Sequence, residues 1–477
     1  MKRVIKTILI LGTASMIGSA GYLVYQNVQP QTELKAESKR LVNLNTYQST
    51  NPNYAVLIAE AKELAQERKF EKAIDKYVKA FEIDNKSNLP LIGIAEVYLQ
   101  SDNLKYAEEN LIKAQIKGPL NTSGRTIATR IALNNQNLEL AKQIYDTITE
   151  TTDESQTIGA VLNFLIQNDT AAEQKLNAII SQPANAGNTN DTTTYSKLAT
   201  KLKEQLEVYK TFTDSPRSYL YAVLAKELLN QNEYILARPL LFASIQEKND
   251  YRDAWLMLGY SYLLSNKNAD AIKALEKAKQ IDPYNGDTYF YLGLAQQKSE
   301  QTKQSIESLQ KASSFGFNNS KETYIQIANS FYLDKNYQEA NNYYAKAAEL
   351  GQLKIEDYTK IVWLNLEQSS SPDKALTYAL QALNYYPQTA MAHNLVGWTQ
   401  IKLNNSTEAE KYLNQAIVLD PKLDAAFLNL GLLNIAKKNI DQAKAYLNQA
   451  ITLAKNNRSS SIETRATAEL NKLNQPQ

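Results

Sequence analysis

The side chains that most often perform chemistry are nearly absent from this sequence. It contains no cysteine and a single histidine, His393, among 477 residues. Disulfides, thiolate nucleophiles and cysteine-ligated metal sites are therefore excluded, and a metal site or a histidine base would depend on that one residue. The sequence has no glycine-rich phosphate loop, nucleophile elbow or metal-spaced cluster. We predict a non-enzymatic protein with no catalytic, cofactor-binding or metal-ligating residue.

The chemistry that remains is recognition by apolar and aromatic side chains. Tyrosine occurs 30 times and tryptophan three times, and aromatic side chains are enriched among the residues that dominate protein–protein binding. Several of them recur on helical faces beside a regular apolar stripe, and Trp363 and Trp398 are the most prominent pair. The candidate partner-binding residues are Leu256, Tyr260, Phe290, Leu294, Tyr332, Trp363 and Trp398.

The stretch 252–285 shows which elements position these side chains. Trp255, Leu258 and Tyr262 fall at i, i+3 and i+7, which places them on one face of a first helix. Gly259 removes a side chain where a second helix must come close. The second helix also has an apolar face, formed by Ala271, Leu275 and Ala278. Because one such pair cannot bury its apolar face alone, the pattern predicts further pairs on both sides.

The spacing W-x2-L-G-x2-Y…A-x3-Φ…P of this stretch resembles the tetratricopeptide repeat, a helix–turn–helix unit of about 34 residues. The resemblance covers about 54–457, strongly from Ser218 onward and weakly between 122 and 212. It implies an all-α fold, an α-solenoid of such repeats. His393 then occupies a position that the repeat fills with a large core residue.

The resemblance also implies a binding surface, because first helices in this family line a concave wall that usually holds a peptide or protein. Family members that clamp a terminal carboxylate use Lys, Arg and Asn on that wall, where this sequence is mostly apolar. The candidate residues would therefore form a groove for an apolar or amphipathic segment of a protein partner. The alternative is that they pack against neighbouring repeats or against another segment of the same chain.

The N-terminal residues 1–25 are predicted to form a transmembrane helix. A basic start is followed by 7–25, which carries no charge, and 19 helical residues extend roughly 28 Å, close to the ~30 Å hydrocarbon core. The basic residues keep the N-terminus in the cytoplasm and place the repeats outside it. Two alternatives are a signal peptide cleaved near Ala20, which gives a secreted protein, and a hydrophobic N-terminus that stays in solution.

The remaining chain divides by composition and periodicity. An extra residue is expected in the turn around Ser369, and Ser460 and Glu463 show the spacing of a capping box. The predicted segments are the membrane helix 1–25, a polar stalk 26–53, an N-terminal array 54–181 that is degenerate after 122, a hinge loop and linking helix 182–217, a regular array 218–457, and a capping helix with a tail, 458–477.

The leading functional hypothesis is a membrane-tethered adaptor, an interaction scaffold that gathers partner proteins for envelope assembly, secretion or surface-structure biogenesis. One alternative is a structural protein that self-associates into a homo-oligomer through its open solenoid ends. Another is an accessory subunit of an enzyme complex or an enzyme of unrecognised type, although the repeats account for nearly all of the chain beyond the anchor. The net charge of +2 gives no indication of a nucleic acid partner.

Overall fold

The computed structural model describes residues 51–181, 192–212 and 214–475, and every regular element in these ranges is a helix. The expected all-α fold, a solenoid of helix–turn–helix repeats, is confirmed. The predicted membrane helix 1–25, the stalk up to residue 50 and the loop 182–191 lie outside the described residues. Within the described part of the chain, no helix is both long and apolar enough to cross a membrane.

The chain divides into two compact units, Met1–Pro283 and Tyr284–Gln477. The helices of the first unit are α1 (Pro52–Gln66), α2 (Phe70–Ile83), α3 (Leu89–Gln100), α4 (Leu104–Lys117), α5 (Thr122–Asn134), α6 (Leu138–Tyr145), α7 (Asp153–Leu165), α8 (Asp169–Ile180), α9 (Thr192–Lys210), α10 (Arg217–Asn230), α11 (Tyr234–Glu247), α12 (Arg252–Leu264) and α13 (Asn268–Ile281).

The second unit continues the same alternation of first and second helices. Its helices are α14 (Gly286–Lys298), α15 (Thr302–Ser314), α16 (Ser320–Leu333), α17 (Tyr337–Glu349), α18 (Ile355–Trp363), a π-helix (Leu364–Gln368), α19 (Pro372–Tyr385), α20 (Ala390–Lys402), α21 (Ser406–Leu419), α22 (Asp424–Ala436), α23 (Ile440–Asn457) and α24 (Ser460–Asn474).

A residue with positive φ closes the turn inside each regular pair. Five such turns follow one another at Asn266, Glu300, Lys335, Ser370 and Asn404, with φ between 47° and 61°, in steps of 34, 35, 35 and 34 residues. A left-handed residue that is not glycine costs about 1 kcal/mol. The packing of the two helices offsets this cost. Because each turn is short and recurs every 34 or 35 residues, it sets the length of the repeat.

The two helices of a pair approach most closely at a small residue of the first helix. A Cβ atom added to Gly259 would lie 2.5 Å from Leu275 Cγ, and one added to Gly397 would lie 2.6 Å from Leu413 Cγ. Leu275 and Leu413 are fully buried at these points. The role expected for Gly259 is therefore confirmed, and the same contact recurs in the second unit.

The extra residue expected in the turn around Ser369 lies instead at the end of a helix. The π-helix follows α18 directly, and the Ser369 N–H donates to the carbonyl of Leu364 at 3.0 Å. The fully buried Asn365 holds this widened turn, because its Nδ2 donates to Asn341 Oδ1 at 2.9 Å and to the carbonyl of Ile361 at 2.8 Å. A π-turn of this kind often marks a functional site.

The capping box expected at Ser460 is wrong. The helix α24 has Ser459 as its N-cap, without a side-chain capping bond. The Glu463 N–H donates to the Ser459 carbonyl at 3.0 Å, and the Glu463 carboxylate lies 3.9 Å from Lys455. The predicted apolar face of this helix does pack against the last pair, through Ile462, Ala466, Leu470 and Leu473.

The compact division at Pro283 differs from the boundary predicted at 182–217. The linking helix α9 packs against both α8 and α10, and Lys203 Nζ donates to Asn177 Oδ1 at 2.7 Å. The helix α11 also packs against α5 and α7. These contacts join 54–181 to the pairs that follow it, so both belong to the first unit.

The close approach at Gly397 predicts a specific pair of destabilised variants. Gly397→Val should lower the stability of the second unit by about 2 kcal/mol, because the new side chain overlaps Leu413. In a Leu413→Ala background the same change should cost at least about 1 kcal/mol less. Scanning calorimetry of the full chain measures the loss of stability in both backgrounds. An equal cost of Gly397→Val in the two backgrounds would show that overlap with Leu413 is not its cause.

Candidate partner-binding surfaces

First helices form the inner wall of the second unit. Successive first helices α18, α20, α22 and α24 contact one another. Arg465 of α24 reaches back to Glu367, which follows α18, at 3.2 Å. A side chain can bridge positions that far apart in the stack only on the inner side of a curved array. Two candidate residues, Trp363 of α18 and Trp398 of α20, belong to these contacting first helices.

In the first unit, a helix of the same chain covers the corresponding wall. The first helices α3, α5 and α7 contact one another, and α11 lies against α5 and α7. Tyr234 Oη donates to the carbonyl of Gln100 at 2.9 Å, and Leu236, Leu240 and Leu241 are buried. The helix α11 therefore covers the surface that α5 and α7 would otherwise expose on the inner wall.

A proline inside α11 explains one of the contacts that holds it there. Pro239 has no N–H, so the carbonyl of Ile235, four residues earlier, loses its usual helical donor. Asn134 of α5 supplies the replacement, because its Nδ2 donates to that carbonyl at 3.0 Å. The defect in one helix is therefore satisfied by a side chain more than a hundred residues away along the chain.

A buried arginine makes the second contact. Arg238 is 2% exposed, and its NH1 donates to Asp102 Oδ2 at 2.6 Å. The NH2 group donates to the carbonyl of Ser261 at 2.9 Å, and the guanidinium lies 4.5 Å from the centre of the Tyr262 ring. Breaking such a buried pair costs several kcal/mol. These contacts tie α11 to the turn after α3 and to α12, which is a structural role.

A second arginine fixes the start of α11. Arg130 of α5 pairs with Glu233 and with Glu154, the latter at 2.9 Å. Burial opposes the charge of Arg130, but the two carboxylates outweigh it and raise the pKa of the guanidinium. The inner wall of the first unit is thus covered by α11, which is held by a network of paired charges.

Three of the seven candidate residues, Tyr260, Phe290 and Leu294, pack in apolar clusters with other repeats. Leu256 and Tyr260 are half-buried in α12 of the first unit. In the second unit, Phe290 is 5% exposed and stacks on Phe317 with 4.1 Å between ring centres. Leu294 is half-buried in the same apolar cluster. The contacts of Tyr260, Phe290 and Leu294 are those of the internal-packing alternative, whereas Leu256 is only half-buried.

Two candidates come together on the inner wall and are joined by a third ring. The ring centres of Tyr332 and Trp363 are 5.8 Å apart, and Tyr337 lies 5.6 Å from Tyr332 and 5.4 Å from Trp363. All three side chains are half-buried, and burial raises the pKa of the Tyr332 hydroxyl, with a smaller contribution from Tyr337. We call these three residues the aromatic cluster.

Trp398, the last candidate, is covered by the C-terminal helix. It is 7% exposed, and the Cζ atom of Arg465 lies 5.6 Å from its ring centre. Among the described residues, the Trp398 Nε1–H has no hydrogen-bond acceptor. His393, in the same helix, is half-buried and its Nε2 lies 2.9 Å from the carbonyl of Pro387.

Sequence reasoning missed several residues of both walls. Tyr337, Glu367, Arg465 and Arg238 are not among the candidate residues that the sequence indicates. A signal existed for two features: Pro239 inside a helical pattern predicts a carbonyl that needs another donor, and the extra residue before Ser370 indicates an irregular helix end. The long-range partners carried no signal in the local spacing.

Comparison with known proteins supports the repeat assignment. Two models described as tetratricopeptide repeat match the chain, one at 223–286 and 364–424 and the other at 425–457. The chain therefore carries tetratricopeptide repeats, which generally serve as non-enzymatic scaffolds for protein–protein interaction. No curated protein matches the sequence.

Solved structures also align with the chain. YrrB, described as a TPR protein with an unusual peptide-binding site, is 18% identical and covers 42% of this chain and 98% of its own, with a TM-score of 0.34. Yeast Tom70 is 14% identical, with coverages of 88% and 95% and a TM-score of 0.33. Pseudomonas aeruginosa pilF is 22% identical, with coverages of 46% and 98% and a TM-score of 0.36. These scores are too low to support a structural argument.

The contact between Asn134 and Ile235 predicts an effect that depends on Pro239. Asn134→Ala should lower the free energy of opening of α11 by about 1–3 kcal/mol, because the Ile235 carbonyl loses its donor. Pro239→Ala restores a backbone N–H, so Asn134→Ala should cost about 1 kcal/mol less in that background. Amide hydrogen exchange of 234–247 measures the opening. Equal costs in the two backgrounds would show that the bond does not compensate for the proline.

Proposed function

We propose that this chain is a membrane-tethered adaptor that binds an apolar or amphipathic segment of a partner protein on the inner wall of its second unit. The observation that carries the proposal is the aromatic cluster. Three half-buried rings lie within 5.8 Å of one another, of which Tyr332 and Trp363 belong to first helices and Tyr337 to the start of the second helix α17. Clusters of this composition are typical of the few residues that dominate protein–protein binding.

The surroundings of the cluster favour an apolar ligand. Leu333, the residue after Tyr332 at the end of α16, is a large apolar residue that is 57% exposed. The π-helix begins directly after Trp363 and replaces a regular helix end at this point. A partner helix or extended segment that covers Leu333 and the three ring edges would remove this apolar surface from water.

The first unit supports a different role. Its inner wall is covered by α11, which is held by the buried Arg238–Asp102 pair and by Asn134. A wall that is already covered and tied by paired charges offers little free surface for a partner. We therefore assign partner binding to the second unit.

The tether is proposed from the sequence of the N-terminal residues. The uncharged stretch 7–25 follows three basic residues within the first six, an arrangement that favours an N-terminus in the cytoplasm and repeats outside it. An adaptor held there would gather partners for envelope assembly, secretion or surface-structure biogenesis. Cleavage of the segment would instead give a secreted form with the same binding wall.

Crosslinking and recovery of partners from membranes tests both parts of the proposal. The full chain should be found in the membrane fraction and should be lost from it when 1–25 are removed. Trp363→Ala should reduce partner recovery at least about tenfold, as expected for a central aromatic residue of an interface. Circular dichroism should show unchanged helix content, because Trp363 is only half-buried.

Tyr284→Ala serves as a matched control, since Tyr284 is a 73% exposed aromatic residue of the same unit outside the cluster. Its partner recovery should equal that of the unaltered chain. Recovery of the same partners in equal amounts with Trp363→Ala would contradict the proposal that the partner binds this wall. Recovery of a second copy of this chain alone would identify self-association instead.

A further inference from the structure

A guanidinium group lies between an indole ring and a carboxylate on the inner wall of the second unit. The Cζ atom of Arg465 is 5.6 Å from the centre of the Trp398 ring, and its NH2 group donates to Glu367 Oε1 at 3.2 Å. Lys402 Nζ lies 3.3 Å from the same oxygen. We call Trp398 and Glu367 together the cation subsite.

The chemistry of the cation subsite is specific for a planar cation. The face of an indole ring attracts a positive charge, and a guanidinium can lie over the ring while its N–H groups reach a carboxylate. Trp398 belongs to α20 and Glu367 to the π-helix, so both groups are part of the wall. The guanidinium over the ring comes from the last helix, α24, while Lys402 of α20 pairs with the same carboxylate.

The helix that carries Arg465 is held by a narrow apolar stripe. Ala466 is its one residue buried below a tenth of its surface, and Ile462, Leu470 and Leu473 are partly buried. Its N-cap makes no side-chain capping bond. Terminal segments with few buried contacts open at low free energy. The Arg465 side chain is also 34% exposed, so it can leave the subsite without unfolding a helix pair.

We propose that the cation subsite binds an arginine side chain of the partner segment, and that Arg465 occupies it while the partner is absent. The inference rests on the proposed function and specifies the partner further. The segment supplies apolar residues to the aromatic cluster and an arginine to Trp398 and Glu367. Glu367 is four residues after Trp363 in the chain, and the helices that carry Trp363 and Trp398 contact each other, so we expect one segment to reach both sites.

Synthetic peptides test the subsite directly. The probe is a fluorescein-labelled peptide with the sequence of 460–474, and the matched peptide carries Arg465→Gln. The receptor is the full chain with Arg465→Gln, in which the subsite is vacant. In fluorescence anisotropy, the arginine peptide should bind this receptor about tenfold more tightly than the glutamine peptide. The unaltered chain should bind the two peptides with equal, weaker affinity.

The carboxylate provides the second variant. Adding Glu367→Gln to the receptor preserves the size of the side chain and should remove most of the preference for arginine. Equal affinity of the two peptides for the Arg465→Gln receptor would overturn the inference, provided that circular dichroism shows the receptor folded and α24 helical. A preference that persists in full with Glu367→Gln would overturn the assignment of the carboxylate.

The outcomes separate this inference from the proposed function. If Trp363→Ala abolishes partner recovery while the peptides show no arginine preference, the aromatic cluster binds the partner and the cation subsite does not exist. If the arginine preference is found while Trp363→Ala has no effect, the cation subsite stands and the proposed binding wall fails.

Discussion

The structure depends on the close approach of the two helices within each pair. Gly397 and Leu413 show how this is reached, because the missing side chain of the glycine makes room for the leucine. A short turn with one left-handed residue, such as Asn404, then returns the chain. A pair built this way leaves one apolar face uncovered, so it must stack on its neighbours. Stacking in turn places first helices on an inner wall.

The two units use that wall differently. In the first unit the chain covers its own wall with α11, and Pro239, Arg238 and their partners fix the helix in place. In the second unit the wall keeps a half-buried aromatic cluster, and Arg465 rests on Trp398 beside it. One repeated architecture therefore gives a closed support in one unit and a surface suited to a ligand in the other.

The repeat itself was predictable from the sequence because its determinants are local. Gly259 and Leu275 lie 16 positions apart, and their contact follows from helical spacing alone. Whether a side chain on the wall is covered by another residue or stays accessible was not predictable. Trp363 and Trp398 are each the ninth residue of their helices, yet Trp363 is half-buried beside Tyr337 whereas Trp398 is buried beneath Arg465. The pairing of Arg238 with Asp102 joins residues 136 apart, a distance at which local periodicity carries no information.

The central claim is that a partner engages the second unit rather than the first. A photocrosslinking amino acid placed at Tyr337, in the aromatic cluster, and separately at Tyr260, on α12 of the first unit, tests it most directly. The account predicts crosslinks to a partner from position 337 and none from position 260. Crosslinks from position 260, with none from position 337 in a correctly folded chain, would contradict it.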